Sequence, residues 1–334
     1  MAKRILVVGG AGYIGAHTAF ALGRAGYDAL VFDNLSTGRR EFLRFGRHII
    51  GDLADRGALD DLFSENAFDA VMHFASRINV GESVADPGKY YRANVADSLN
   101  LLEAVRDHGV KHFIFSSSAA VYGLPQGPLT EGHPFSPINP YGKTKAAVEW
   151  MLADFSAAYG LKYCALRYFN AAGAAPVASG AKIGEMHEPE THLIPLVLQA
   201  ARKGESATVF GTDYSTPDGT CIRDYIHVCD LAEAHILAMQ RLMSGEQSAA
   251  FNLGGGRGFS VREVIEAARR VTEINVAMRE APRRPGDPDT LVSVNAKART
   301  ELGWEPRYAD LEYIVRTAWD WERERSRSLT FEQS

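Results

Sequence analysis

Cysteine is scarce in this chain: only Cys164, Cys221 and Cys229 occur among 334 residues, and no two form a Cys-x-x-Cys pair. The pattern argues against a disulfide framework or a zinc ribbon and points to a reducing compartment, the cytoplasm. No apolar run approaches the roughly 20 residues of a membrane-spanning helix. Met1-Ala2-Lys3-Arg4 followed by Ile5-Leu6-Val7-Val8 begins like a signal sequence, but the apolar run is too short and glycines follow at once. It is expected to form a buried first strand. A net charge of −5 makes no electrostatic case for nucleic acid or an anionic membrane, while leaving room for a local basic pocket. Internal repeats and low-complexity linkers are also missing, so the second half is expected to pack against the first.

What is present is an ordinary globular composition, 46% hydrophobic and 23% charged, at a length that suggests about two domains. Short apolar runs at 4–8, 28–33, 48–50, 70–74, 112–116 and 163–167 alternate with helical stretches at 14–24, 90–108 and 141–159. This alternation predicts an α/β fold, a doubly wound parallel sheet with helices on both faces. After Asn170 the texture changes. Residues 171–190 are rich in Ala, Gly and Pro and read as a loop. Residues 193–202 read as a helix, and Ser260-Val261-Arg262-Glu263 as a capping box opening another. A last helix is expected over 310–321, fraying from Glu322 onward.

Glycines at 9, 12 and 15 follow the first strand and open a helix. A tight turn, close approach of a pyrophosphate to the backbone, and helix–sheet packing each need a missing side chain. The helix N-terminus then offers N–H groups and a positive end to phosphates. Asp33 ends the second strand where an acid accepts from the adenine-ribose hydroxyls and repels a 2′-phosphate, which favours NAD over NADP. Arg39-Arg40 is the counter-signal. Asp52, ending the third strand, is either an adenine contact or a helix N-cap.

Tyr141 and Lys145 lie four apart on a helix that Asn139 and Pro140 are placed to open. An ammonium beside a phenol favours the phenolate, so the tyrosine can act as a base. Bringing a phenol from about 10 towards 7 needs roughly 4 kcal/mol. Ser116-Ser117-Ser118 ends a predicted strand, at the edge where doubly wound folds bind ligands.

With these motifs in view, the chain resembles the extended short-chain dehydrogenase/reductase family, and within it the UDP-glucose 4-epimerases. The likeness runs almost end to end. It is carried by Gly9 to Gly15, Asp33-Asn34-Leu35-Ser36-Thr37-Gly38, His73-Phe74-Ala75, Val80-Gly81-Glu82-Ser83, Ser116 to Gly123 and Tyr141 to Lys145. Further on it includes Leu166-Arg167-Tyr168-Phe169-Asn170, Arg223-Asp224-Tyr225-Ile226-His227 and the 281–287 string with Arg284 and Asp287. The resemblance implies a Rossmann-type NAD-binding domain over 1–170, to which roughly residues 224–250 return. A smaller α/β UDP-sugar-binding domain would occupy most of 171–334. It implies reversible C4 epimerisation of a UDP-hexose through a 4-keto sugar, with NAD reduced and reoxidised, in a homodimer built on helices near 98–108 and 146–155.

By the same resemblance, Tyr141 is the base, Lys145 its electrostatic partner and ribose anchor, and Ser118 a substrate contact. The cofactor positions are Gly9, Gly12, Tyr13, Ile14, Gly15, Asp33, Asn34, Asp52, Leu53, Phe74, Ala75, Asn94, Tyr141, Lys145 and Tyr168. The substrate positions are Ser118, Tyr141, Asn170, His192, Leu193, Arg223, Arg284 and Asp287. Two arginines suit a diphosphate.

Several positions depart from the family. Ala119-Ala120 stands where sugar dehydratases carry Asp-Glu, so elimination is disfavoured. Ile78 replaces a Lys, and His192 an Asn, found in some epimerases. Leu291 has intermediate bulk where size governs acceptance of N-acetylated sugars. The alternatives are 4-epimerisation of UDP-N-acetylglucosamine, UDP-xylose/arabinose or UDP-glucuronate, and a non-catalytic NAD-sensing protein. The string from His187 to His192 imitates a zinc motif, but its histidine spacing is one too long and Pro189 opposes a helix, so no metal is expected. Gly254-Gly255-Gly256-Arg257-Gly258 lacks the Lys-Ser/Thr of a P-loop and reads as a turn, with a place near the nucleotide left open. His73 and His227 read as structural.

Overall fold

The structure is a computed structural model that describes residues 2–124, 127–284 and 286–331, with side chains up to 326. Met1, at the head of the first strand's basic start, and Pro285 of the 281–287 string lie outside the described residues. The strands are β1 (Arg4–Val8), β2 (Asp28–Asp33), β3 (Arg47–Ile50), β4 (Ala70–His73), β5 (His112–Ser118), β6 (Lys162–Tyr168), β7 (Asn170–Ala172), β8 (Ala207–Phe210), β9 (Ile222–His227), β10 (Ala249–Leu253), β11 (Gly258–Ser260), β12 (Met278–Ala281) and β13 (Thr290–Leu291). The α-helices are α1 (Tyr13–Arg24), α2 (Arg56–Glu65), α3 (Val80–Ala85), α4 (Pro87–Tyr91), α5 (Asp97–Asp107), α6 (Pro140–Tyr159), α7 (Leu193–Lys203), α8 (Val228–Met243), α9 (Val261–Thr272), α10 (Ala296–Leu302) and α11 (Leu311–Phe331).

Seven strands form one parallel sheet in the order β10-β6-β5-β4-β1-β2-β3. Apart from the exposed edge strand β3, these strands are largely buried on both faces and read as nearly continuous apolar runs. Successive side chains alternate between faces. Ile5, Val7, Val31, Met72, Ile114 and Leu166 pack in one cluster with residues of α1 and α8. Leu6, Val8, Leu30, Phe32, Phe113 and Phe115 pack in the other with residues of α2, α5 and α6. Strand order reverses between β1 and β4, so the chain leaving Val8 enters the crevice at the carboxyl edge of the sheet. β10 and α8 come late in the sequence yet complete this sheet and its flank.

The remaining elements build a second core. α7, α9 and α11 pack with β8 and β9 around Ile194, Val197, Val209, Tyr225, Val264, Ile265 and Ile314. α9 opens with the expected capping box: Ser260 Oγ accepts from the Glu263 amide, and Glu263 accepts from the Ser260 amide. The glycine turn at 254–256 wraps a carboxylate of the chain itself. Gly255 N and Gly256 N donate to Asp224 at 2.6 and 3.2 Å, and Ser293 donates to it through both N and Oγ. Those amides are therefore engaged internally and are not free for a nucleotide.

Three expectations need correction. The stretch 90–108 is not one α-helix, because a π-helical turn, Arg92–Ala96, separates α4 from α5. The last helix does not end at 321 but continues to Phe331. Glu322 is buried there, 2.9 Å from Arg202 and 3.1 Å from Arg325, so packing overrides the polar texture. Asp52 is not a helix N-cap, since α2 starts at Arg56 with Asp55 accepting from Ala58 N.

One buried polar network ties α6 to the sheet. Glu149 receives Arg167 Nη2 at 2.7 Å and Arg167 Nε at 3.0 Å, and Ser117 Oγ at 2.5 Å. Arg167 Nη1 donates to the Tyr122 hydroxyl, which donates to Asn252 Oδ1, both at 2.7 Å. Helix α6 and strands β5, β6 and β10 thus meet at one ion pair with both side chains under a tenth exposed. Removing one member of such a pair strands a buried charge. Glu149→Ala should lower unfolding free energy by about 3–5 kcal/mol in urea denaturation. A loss below about 1 kcal/mol would show the pair to be dispensable.

Candidate active site

The glycine turn sits at the head of the crevice. Gly9 has φ +78°, and a Cβ there would meet Ala75 N at 2.5 Å and the Phe74 carbonyl carbon at 2.9 Å. A Cβ on Gly15 would collide with Gly9 O, whereas one on Gly12 would meet only Gly9 O at 3.3 Å. Gly9 and Gly15 are therefore demanded by the fold, and Gly12 leaves an open face. Gly12 is also the N-cap of α1 and offers no side-chain cap, which leaves the first-turn amides to a ligand. This cradle fits a dinucleotide pyrophosphate. Tyr13 is buried and donates to Gly173 O at 2.6 Å, and Ile14 packs on the core beneath.

Asp33 closes β2 with both oxygens engaged: Oδ2 accepts from Ala11 N at 2.9 Å and Oδ1 from Leu35 N at 2.8 Å. Burial raises its pKa, and these two amides oppose the rise. The carboxylate is thereby aimed, with lone pairs left for hydroxyl donors. Asn34 Nδ2 donates to Asp52 Oδ2 at 2.8 Å, and Leu53 is buried in the core. Arg39 does not turn towards a phosphate position; it donates to Met186 O at 3.0 Å and reaches Glu188 at 3.4 Å.

Tyr141 and Lys145 occupy the first turns of α6, whose N-cap Asn139 accepts from Gly142 N at 2.8 Å with Pro140 in the first turn. Gly142 allows close approach, since a Cβ there would lie 2.5 Å from Ala120 O. The Lys145 ammonium donates to Ser116 O at 2.7 Å and lies 5.8 Å from the Tyr141 ring centroid. Burial lowers the Lys145 pKa to about 7, against an upward pull from Glu149. Burial raises the Tyr141 pKa, with the Ser118 hydroxyl lowering it. The ammonium is committed to a backbone carbonyl, and burial outweighs the Ser118 contribution at the phenol. Ser118 is both the phenol's neighbour and a turn former, since its Oγ accepts from Ala120 N at 3.1 Å. Ala119 and Ala120, in the turn that follows, bring no proton-transfer group.

Two expected cofactor residues are bonded to the protein. Asn94, in the π-helical turn, accepts from Arg77 N at 2.7 Å and donates to Arg77 O and Thr144 Oγ1. It braces segment 77 against α6. His235 Nδ1 donates to Leu231 O, so its Nε2 accepts from the Tyr168 hydroxyl at 2.5 Å. His73 and His227 are structural, on Ser98 at 2.8 Å and on Thr317 and Cys229 N at 3.1 Å each.

On the substrate side, Arg223 on β9 is ion-paired with Asp287, and Arg284 stacks on Phe210 at 4.3 Å. Leu291 pairs with Arg223 in the β13–β9 register and packs with Ala119, Val121 and Tyr122, which joins this arm to the end of β5. Asn170 opens β7 opposite Tyr225, and Leu193 opens α7. Ile78 is 41% exposed. His192 departs from a simple substrate contact. It is the N-cap residue of α7, and its Nδ1 lies 2.6 Å from Glu185 Oε1 and 3.1 Å from Glu190 Oε1. Burial alone would lower the His192 pKa, but the Glu185 carboxylate and then Glu190 raise it to about 10. Sequence reading passed over Glu185 and Glu190; the two histidines beside them were the available signal. The reason for setting this string aside, helical spacing spoiled by Pro189, does not apply, because 185–192 is a loop.

The chain matches the family described as NAD dependent epimerase/dehydratase over residues 5–254. It is 51% identical over 322 residues to the UDP-glucose 4-epimerase of Halalkalibacterium halodurans, covering 96% of each chain. Among solved structures it is similar to UDP-glucose 4-epimerase from Brucella ovis in complex with NAD. There the TM-score is 0.92 at 49% identity, covering 96% of this chain and 98% of that one. It is also similar to the Stenotrophomonas maltophila UDP-glucose-4-epimerase with bound NAD and formylated UDP-arabinopyranose. That match has a TM-score of 0.93 at 39% identity, over 98% of this chain and 100% of that one.

The depressed Lys145 pKa has a measurable consequence. Between about pH 7 and 9 the unfolded chain holds this proton and the folded chain releases it, so Lys145 makes stability rise with pH. Other groups titrate in the same window, so wild type must be compared with Lys145→Met. The wild-type minus variant stability should climb by up to about 1.4 kcal/mol per pH unit across pH 7–9 in denaturation at matched cofactor loading. A flat difference would place the lysine's pKa outside this range.

Proposed function

This chain belongs to the NAD dependent epimerase/dehydratase family, and from that premise we infer that it catalyses reversible NAD-dependent C4 epimerisation of a UDP-hexose, interconverting UDP-glucose and UDP-galactose. The observation that carries the reading is the meeting of Ser118, Tyr141 and Lys145 at the carboxyl edge of the sheet, followed by two alanines. Such a site can move a proton on and off a hydroxyl without eliminating water.

NAD held by the Gly9–Gly15 turn and Asp33 would supply a hydride acceptor and donor for C4 of the sugar. Tyr141 takes the proton from the 4-hydroxyl and gives it back. Ser118 donates to the sugar oxygen and keeps the phenol oriented. Lys145, fixed by Ser116 O, supplies in its protonated form the positive field that favours phenolate; burial otherwise holds the phenol neutral. Gly9, Gly12 and the amides at the start of α1 hold the pyrophosphate, and Asp33 the adenine ribose. Its carboxylate favours NAD over a 2′-phosphorylated cofactor, the more so because Arg39 is engaged elsewhere. Asn94 positions Thr144 and segment 77. Arg223, Arg284 and Asp287 grip the UDP moiety, and the sugar is left free to turn beside Leu291.

The enzyme acts as a cytoplasmic homodimer in this reading. Three free cysteines suit a reducing compartment, and no helix among the described residues is long and apolar enough to cross a membrane. Helices α5 and α6 expose Leu99, Trp150 and Tyr159, large apolar groups that a second copy would cover.

Tyr141→Phe should cut turnover roughly 10²- to 10⁴-fold while NAD stays bound; near-normal turnover would remove Tyr141 from the base role. Assayed with UDP-glucose, UDP-galactose, UDP-xylose and the N-acetylated pair, wild type should equilibrate the first two. Failure to interconvert any of them would sink the epimerase reading.

A further inference from the structure

The loop between β7 and α7 gathers four metal-ligand atoms, of which the epimerase reading gives a role only to His192. His187 Nδ1 and His192 Nδ1 lie 2.9 and 2.6 Å from Glu185 Oε1, and 3.9 and 3.1 Å from Glu190 Oε1. All four atoms fall within 4.8 Å of one another, the only such group of His, Cys, Asp or Glu among the described residues. We propose that Glu185, His187, Glu190 and His192 form a structural site for a divalent transition-metal ion of the zinc type.

Geometry is the first ground. Tetrahedral zinc with bonds of about 2.0 Å separates its ligand atoms by about 3.3 Å. The four histidine–carboxylate separations fall on either side of that value. Each residue contributes one atom, and the two carboxylates use the same oxygen towards both imidazoles.

Charge is the second ground. Two carboxylates and two neutral imidazoles neutralise a dication. Two nitrogen and two oxygen ligands suit zinc better than calcium or magnesium, which prefer oxygen alone. Four protein ligands leave no open position, so the site is structural.

The surroundings hold the ligands in place. Trp321 Nε1 donates to Glu185 O at 3.0 Å, and Arg39 donates to Met186 O. Thr191 N and His192 N donate to Glu190 Oε1 at 2.8 and 2.9 Å, which orients that carboxylate. The Tyr13 ring meets His187 edge-on at 6.2 Å. The ion therefore clasps the start of α7, where Leu193 sits, against the first residue of α1 in the cofactor cradle.

The test uses full-length, tag-free protein with its cofactor, because a polyhistidine tag would itself bind metal. Elemental analysis should find about one zinc per chain. After chelation, Co2+ should restore one equivalent with the visible bands of a tetrahedral site, and X-ray absorption should report imidazole in the ligand shell. His187→Ala should weaken Co2+ binding by at least about 100-fold, beyond the loss typical of outer-shell changes. Glu190→Gln serves as the second variant should the first fail to fold. Wild-type protein that takes up no zinc or Co2+ would overturn the proposal, leaving a hydrogen-bonded His–Glu cluster. So would a shell without imidazole, or undiminished binding by a folded variant.

Discussion

The ion pair between Glu149 and Arg167 is the interaction on which the rest of the site depends. It lies one turn beyond Lys145 on α6, and it binds that helix to β5 through Ser117 and to β6 through Arg167. Tyr122 and Asn252 extend it to β10, a strand contributed from the other half of the chain. Parallel strands cannot themselves hold a neighbouring helix in register, because their backbone groups are satisfied within the sheet. A buried charge pair with fixed fork geometry can. The phenol and ammonium at the start of α6 thereby face the end of β5, where Ser116 and Ser118 present a carbonyl and a hydroxyl.

A second property follows from burial. Few polar groups at the site are idle. Asp33 is held by two amides, Asn94 by Arg77 and Thr144, Tyr168 by His235, and Arg223 by Asp287. Groups oriented before a ligand arrives need no reorganisation to meet it. The glycine turn is the complement, open where the chain offers amides without side chains. Burial also sets the proton chemistry. It pushes the phenol up and the ammonium down, so neither is activated merely by adjacency.

Much of the fold was legible because strands buried on both faces must be apolar throughout and must be spaced by helices. The runs at Arg4–Val8 and Asp28–Asp33, and the capping box at Ser260, needed only local physics. The interruptions were not legible. The π-helical turn at Arg92–Ala96 exists where Asn94 bonds across to residues 77 and 144. α11 runs past its polar boundary because Glu322 meets Arg202, a partner 120 residues away. The glycine turn at 254–256 was legible as a turn, but not that its amides would wrap the Asp224 carboxylate.

The sequence by itself determined which residues could do chemistry: a glycine turn opening a helix, an acid at a strand end, a tyrosine and lysine one helical turn apart, and alanines where elimination needs acids. Those features are local, set by spacing within one element, and spacing survives translation into structure. Only the tertiary structure decided what each group bonds to. It gave Lys145 to Ser116 O and Arg39 to Met186 O, and drew His187 and His192 together with Glu185 and Glu190 in a loop that no helical periodicity describes. Hydrogen-bond partners and pKa values depend on distances of a few ångströms between segments far apart in the chain, and packing of the whole sets those distances.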